Sequence, residues 1–383
     1  MRVALVAGET SGDVLGAELI QSIQALAPST EFFGIGGPDM TEAGCQSLFR
    51  AEELSVMGLT EVFRDLPRLL KVRRELIKNF LEVRPDVFIG IDSPDFNLPV
   101  ARTLKERGIP TVQYVSPQVW AWRQSRVASI RKATDLVLCV LPFEVDFYEH
   151  HAVNAVFVGH PLADQIPVTF SQEDARAGLG IMDAGPIVAI LPGSRRNEVL
   201  RLSRPFLETM QWLRKRRPEL VFVVAFSTQA MKDIFLEKTA GIDMHPAPEF
   251  FCGKARQVMA ASDVVLTASG TASLEATLLK RPMVVAYKLS PLTYWILRGM
   301  GVRKLQNFSL PNLLSAQNLM PEYLQGQVCA EVLGPALLDF LNEGALRAHW
   351  KDAFILIHTQ LRCNASKQAA SAIIDLLNDK DGL

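Results

Sequence analysis

Short runs of aliphatic and β-branched residues alternate along this chain with longer stretches whose apolar positions recur at helical spacing. In the first half the runs fall at 2–7 (RVALVA), 31–35, 86–91 (DVFIGI), 110–115 (PTVQYV), 135–140 (DLVLCV) and 155–158. Runs that are apolar throughout, rather than at every second position, predict strands buried on both faces of a parallel sheet. Helical stretches such as 13–26 and 97–107 lie between them, so the repeating unit is strand then helix. The segment VGHPLADQIP after 158, with its two prolines, breaks the rhythm. A second series follows at 186–191 (PIVAIL), 220–226 (LVFVVAF), 263–268 (DVVLTA) and 282–287 (PMVVAY), and from about 330 the pattern is helical to the end. The expected fold is α/β, with Rossmann-like domains at 1–165 and 166–340, parallel sheets facing across a cleft, and a helical tail at 341–383.

The chain length of 383 agrees, since a domain takes roughly 150 residues. With 40 Lys+Arg against 41 Asp+Glu, no global positive charge attracts nucleic acid. An apolar content of 49% with near-zero net charge excludes a disordered chain. Cys45, Cys139, Cys252, Cys329 and Cys363 are scattered and odd in number, which fits a reduced cytosolic chain rather than a disulfide framework. The apolar run at the start is too short for a signal-peptide core, and no uncharged stretch approaches the ~20 residues a spanning helix needs.

In open parallel sheets ligands bind at the carboxyl ends of the strands, so the loops there carry the candidate chemistry. The first is Gly8-Glu9-Thr10-Ser11-Gly12-Asp13, whose small residues let backbone amides approach an anion at a helix start. Its glycines do not fall as GxGxxG, and the plainer reading is a tight turn with an Asp near the helix start. The loop Asp92-Ser93-Pro94-Asp95-Phe96-Asn97 puts two carboxylates where a buried strand emerges. Asp92, nearer the strand, is the candidate general base toward a hydroxyl, and Asp95 the expected helix cap; alternatively Asp92 only bonds turn amides.

In the second half, Gly193-Ser194-Arg195-Arg196 combines a glycine turn, a hydroxyl and a guanidinium at a helix start, which suits phosphate. A surface loop with two solvated arginines is the plainer alternative. The later loop Ser269-Gly270-Thr271-Ala272-Ser273-Leu274-Glu275 offers further amides and hydroxyls, with Glu275 one turn in on the face of Thr271. A carboxylate there can accept both hydroxyls of a ribose, or simply favour the helix as an acid in its first turns.

No HExxH, EF-hand loop or histidine cluster occurs, so neither metal nor cofactor is expected; Asp379-Lys380-Asp381 sits in the tail. His160, before a proline, is read as structural. At 59–80, Val62, Leu66, Leu69, Leu70, Leu76, Ile77 and Phe80 recur at helical spacing among Arg64, Arg68, Lys71, Arg73, Arg74 and Lys78. Such a segment is either an interfacial helix for anionic lipid or a core-facing helix with a solvated basic face.

Taken in order, GETSGD, IDSPDFN, YVSPQVWAWR (114–123), LPGSRRNEV, ASGTASLEA and SLPNLL (309–314) resemble the lipid-A-disaccharide synthases, bacterial glycosyltransferases of the GT-B fold. The likeness runs from Gly8 to about Asn364. It implies inverting transfer from UDP-2,3-diacylglucosamine to the 6-hydroxyl of 2,3-diacylglucosamine 1-phosphate (lipid X), giving a β-1′,6-linked disaccharide 1-phosphate and UDP. It implies Asp92 as base and Arg195 on the leaving diphosphate. Gly193, Ser194, Ser269, Gly270 and Thr271 would hold UDP, with Glu275 on its ribose. Asn312 is a further polar candidate, and Ser11 and Gly12 approach phosphates or acceptor. It also implies no bound metal, a peripheral enzyme on the cytoplasmic face of the inner membrane docking through 59–80, and a possible homodimer exchanging C-terminal helices. Competing readings are a UDP-N-acetylglucosamine 2-epimerase-like enzyme, which needs no acceptor base, and a non-catalytic UDP-sugar or lipid-binding protein. A nicotinamide oxidoreductase is disfavoured by the missing glycine fingerprint.

Overall fold

The computed structural model describes residues 1–50, 59–117, 119–122, 126–181, 185–290, 307–315, 317–342 and 346–381. The polypeptide forms two compact units, Met1–Asp164 together with Leu361–Leu383, and Gln165–Gln360.

In the first unit seven strands, β1 (Arg2–Ala7), β2 (Glu31–Gly36), β3 (Cys45–Arg50), β4 (Val87–Ile91), β5 (Thr111–Tyr114), β6 (Leu136–Cys139) and β7 (Ala155–Phe157), line up as β3-β2-β1-β4-β5-β6-β7. Every pairing is parallel. Val3, Leu5, Val6, Phe88, Ile89 and Ile91 are fully buried, as unbroken apolar runs require of strands covered on both faces. The rings of Phe33, Phe80 and Phe88 meet at 5.7 and 5.8 Å, and Phe80 comes from the helix Leu59–Val83. That helix also buries Val72 and Leu76 in the same core. Its second half is therefore a core-facing helix, and Arg68, Lys71, Arg74 and Lys78 remain on its exposed side. Val62, Arg64 and Leu66 lie outside the residues whose side chains are described.

The last helix, Ala365–Asp381, belongs to this unit. Both oxygens of Asp164 accept backbone N–H bonds from Asn364 and Ala365, at 2.9 and 2.7 Å, and so cap its start. Ser366 donates to Glu18 of the helix Thr10–Leu26 at 3.0 Å.

The second unit has six strands, β8 (Ile187–Leu191), β9 (Val221–Phe226), β10 (Glu249–Cys252), β11 (Val264–Ala268), β12 (Met283–Tyr287) and β13 (Glu322–Leu324), all parallel in the order β10-β9-β8-β11-β12-β13. Its core gathers Phe206, Phe222, Phe226 and Phe235, with Val199, Leu202, Met210 and Leu213 from the helix Arg196–Arg214. No described helix is long and apolar enough to cross a membrane.

The strand order reverses direction at β1/β4 in one sheet and at β8/β11 in the other. These are the two places where neighbouring loops diverge and leave a crevice at the carboxyl edge.

Candidate functional site

All four loops singled out in the sequence follow the strands that flank those two reversals. After β1 the helix Thr10–Leu26 begins directly, putting Ser11, exposed, and Gly12, buried, in its first turn. A Cβ on Gly12 would stand 3.4 Å from the Ala7 Cβ and 3.7 Å from Ile91, so this glycine lets the helix close on β1 and β4. Asp13 is 4% exposed, and its carboxylate accepts N–H bonds from Gly37, Asp39 and Met40 at 2.8 to 3.0 Å. It caps the short helix after β2 rather than its own.

After β4, Asp92 and Ser93 both have positive φ, 50° and 39°, and the helix Pro94–Lys105 follows. Asp92 is half-buried, and among the described residues no hydrogen bond or ion pair engages its carboxylate. Asp95 does not cap the helix as expected: the cap position is Ser93, and Asp95, 80% exposed in the first turn, pairs with Arg126. Asn97 is fully buried beneath the turn.

In the second unit, Gly193 has φ 114°, and a Cβ there would lie 2.5 Å from Glu198 Oε2. Glu198, 8% exposed, accepts the Arg195 backbone N–H at 3.3 Å, half of a capping box that starts the helix Arg196–Arg214. The Arg195 side chain is 83% exposed and pairs through Nη1 with Glu198 at 3.6 Å, which leaves the rest of its fork facing solvent. Ser194 is exposed and its carbonyl accepts from Ser227 after β9. Tyr287 ends β12 within the field of this loop; burial raises its phenol, Glu198 raises it further, and Arg195 opposes both.

After β11, Gly270 has φ 134° and Thr271 opens the helix Thr271–Leu278 with its side chain exposed. Ser269 donates to the Phe308 carbonyl at 3.2 Å. Glu275, 19% exposed, pairs with Arg256 at 3.4 Å. Burial raises its carboxyl and Arg256 partly offsets that. Asn312 is 2% exposed and spends both ends of its amide on the chain, pairing with Met320 N and O at 2.9 and 2.8 Å and donating to Glu322 at 2.8 Å. His160 accepts the Leu162 N–H on Nδ1, the structural role expected of it.

One acid escaped the sequence reading. Glu144, in the first turn after β6, is 1% exposed and accepts from Trp120 Nε1 at 3.2 Å and Leu141 N at 3.1 Å. Trp120 belongs to the WAWR segment, whose Arg123 lies outside the described residues. Its ring meets Phe143 edge-on at 4.9 Å. Burial pushes the Glu144 carboxyl from 4.5 to about 7, while bonds from Leu141, Ser116 and Trp120 hold it from rising further. Its place in a strand-end loop was readable; its pairing with a tryptophan 24 positions back was not. Between pH 4.5 and 7 the native state keeps a proton that the unfolded chain has lost. Stability therefore falls as pH rises through that window, by an amount on the order of 3 kcal/mol, and levels off above it. Melting wild type and Glu144→Gln from pH 5 to 8 should show the gap shifting against wild type as pH rises; parallel curves would remove this assignment.

The family model for lipid-A-disaccharide synthetase matches residues 3–373. A lipid-A-disaccharide synthase of Alkalilimnicola ehrlichii is 49% identical over 376 residues, covering 98% of both chains. One from Xylella fastidiosa is 47% identical over 382 residues, covering 99% of both. Among solved structures, a UDP-GlcNAc 2-epimerase from Neisseria meningitidis bound to UDP-GlcNAc superposes with a TM-score of 0.65 at 12% identity, covering 98% of this chain and 100% of that one. The glycotransferase of kitacinnamycin gives 0.60 at 16%, covering 98% of each. At such identities these likenesses concern the fold, which epimerases and glycosyltransferases share. The match over nearly the whole length, with the motifs at both sheet reversals, decides between them: the chain belongs to the lipid-A-disaccharide synthase family of glycosyltransferases.

Proposed function

We propose that this chain transfers the sugar of UDP-2,3-diacylglucosamine to the 6-hydroxyl of 2,3-diacylglucosamine 1-phosphate (lipid X) in one inverting displacement. The observation that carries the reading is a carboxylate, Asp92, that no described residue engages, at the reversal of one sheet, and a guanidinium, Arg195, 83% exposed, at the reversal of the other. Asp92 takes the proton of the acceptor hydroxyl as its oxygen bonds to the anomeric carbon and the carbon–diphosphate bond breaks. Arg195 and the first amides of the helix Arg196–Arg214 receive the charge that builds on the departing UDP.

Gly193 and Ser194 let the diphosphate approach the backbone, with Ser269, Gly270 and Thr271 beside it. Glu275 takes the ribose hydroxyls. Asn312 acts through the loop it holds rather than by touching substrate, and Ser11 presents its hydroxyl toward the acceptor where Gly12 has closed the helix on the sheet. No metal takes part. The enzyme works at the cytoplasmic face of the inner membrane, where the exposed cations Arg68, Lys71, Arg74 and Lys78 meet anionic headgroups. Exchange of C-terminal helices would make it a dimer.

One assay tests the reading. Purified protein receives both substrates in anionic vesicles with EDTA present, and lipids are resolved for the disaccharide 1-phosphate. Disaccharide and UDP in equal amounts are expected, with slower turnover for Lys71→Glu/Lys78→Glu. Folded protein that makes no disaccharide sinks the transferase; activity lost only to EDTA sinks metal independence; an unaffected double variant sinks the membrane contact.

A further inference from the structure

Among the described residues nothing anchors the Asp92 carboxylate, so its direction is set by its backbone, and that backbone is held in an unusual shape. Asp92 and Ser93 have φ of 50° and 39°, and Val115, at the end of the neighbouring strand, has 68°. Left-handed backbone is unfavourable for residues with a Cβ, most of all for a β-branched one, and persists only where surroundings over-determine it.

Two buried amides do so here. Asn97 Nδ2 donates to the Asp92 carbonyl at 2.9 Å and lies 3.3 Å from the carbonyls of Val6 and Ile91. Gln113 Nε2 donates to the same Asp92 carbonyl at 3.0 Å and lies 3.3 and 3.4 Å from those of Tyr114 and Val115. The Asp92 N–H, for its part, donates to the Tyr114 carbonyl at 2.9 Å. The ends of β1, β4 and β5 are thus stitched together at one residue.

The orientation of both amides is forced, because reversing either would set its oxygen against carbonyl oxygens. Asn97 is 0% and Gln113 1% exposed, and each leaves its own oxygen, Oδ1 and Oε1, without a partner. Packing alone would be served better by an apolar side chain, since a buried acceptor left unpaired is a cost with no local return. Gly90 completes the arrangement: a Cβ there would stand 2.7 Å from Asn97 Cβ and 3.1 Å from Gln113 Oε1, so only a bare Cα lets both amides flank the strand.

We infer that Asn97 and Gln113 are positioning residues that aim the Asp92 carboxylate at the acceptor hydroxyl; this rests on Asp92 being the base. Gln113→Met and Asn97→Leu remove donor and unpaired oxygen together, so the fold should survive. In the full-length protein with UDP-2,3-diacylglucosamine and lipid X, kcat should fall ~10- to 100-fold, as a displacement of about 1 Å does. UDP affinity and the melting midpoint should hold. In an Asp92→Ala background the same changes should alter the residual rate less than about twofold, because the residue they act through is gone. Wild-type kcat in Gln113→Met, or an equal loss with and without Asp92, overturns the inference while leaving the base in place. An Asp92→Ala enzyme as fast as wild type overturns the base itself. Should Gln113→Met fail to fold, Asn97→Leu gives the same reading from the other arm.

Discussion

Asp92→Asn should bind UDP as wild type does and lose ~10²- to 10⁴-fold in turnover, the range a positioned general base supplies. The amide matches the carboxylate in shape, and among the described residues no partner would be stranded by the change, because none engages the side chain. The fold therefore has little reason to respond. The whole effect should fall on the proton: an attacking hydroxyl that keeps its proton makes a poor nucleophile, and the amide cannot take it. Single-turnover measurement of disaccharide, with UDP titrated separately, distinguishes the cases. A rate within tenfold of wild type would mean another group takes the proton. Glu144 is the first to try, as an acid held at about 7 in the strand-end loop two strands away, after β6. Loss of UDP affinity along with rate would mean that Asp92 supports the structure instead.

The residues that were legible and those that were not divide by the range of the interaction that fixes them. Ten strands could be read because their apolar runs are local, and the loops of the site could be read as the segments that follow those runs. β3 (CQSLFR), β10 (EFFC) and β13 (EYL) could not, since each is an edge strand, short or of mixed polarity, stabilised by its neighbour rather than by its own pattern. The cap expected of Asp95 was misjudged for the same reason, and the partners of Asp13 went unread. Each looks like a helix-start acid, yet Asp13 caps a helix 24 to 27 residues on and Asp95 meets Arg126 from another helix. Asn312 reads as a polar site residue because nothing nearby announces Met320 and Glu322 as its partners. The basic helix gave two readings, and Val72, Leu76 and Phe80 show its second half turned to the core.

Gly34→Ala should be the most damaging single methyl group among the described glycines. Gly34 sits in β2 with φ 148°, and a Cβ there would be 1.9 Å from the Leu5 carbonyl oxygen, 2.9 Å from its carbon and 3.0 Å from its nitrogen. The obstacle is backbone, so no rotamer change relieves it. Leu5 pairs with Gly34 in the centre of the ladder, and the adjoining β2–β3 register already shifts between Gly34 and Ile35. Relief requires β1 and β2 to part, which breaks ladder hydrogen bonds and opens the core around the fully buried Val3, Leu5 and Val6. More than ~4 kcal/mol is expected, most of what a domain of this kind holds in reserve. β1 also leads into the helix of Ser11 and Asp13, so partial unfolding there would take the first loop of the site with it. Gly178 supplies the contrast: it lies in the helix Gln172–Leu179 with open space where its Cβ would go, and Gly178→Ala should stabilise by roughly 0.5–1 kcal/mol. Soluble yield and thermal melting of the two variants give opposite signs if the β1–β2 contact is as close as described. A Gly34→Ala protein melting within a few degrees of wild type would mean that the strands can separate there without loss.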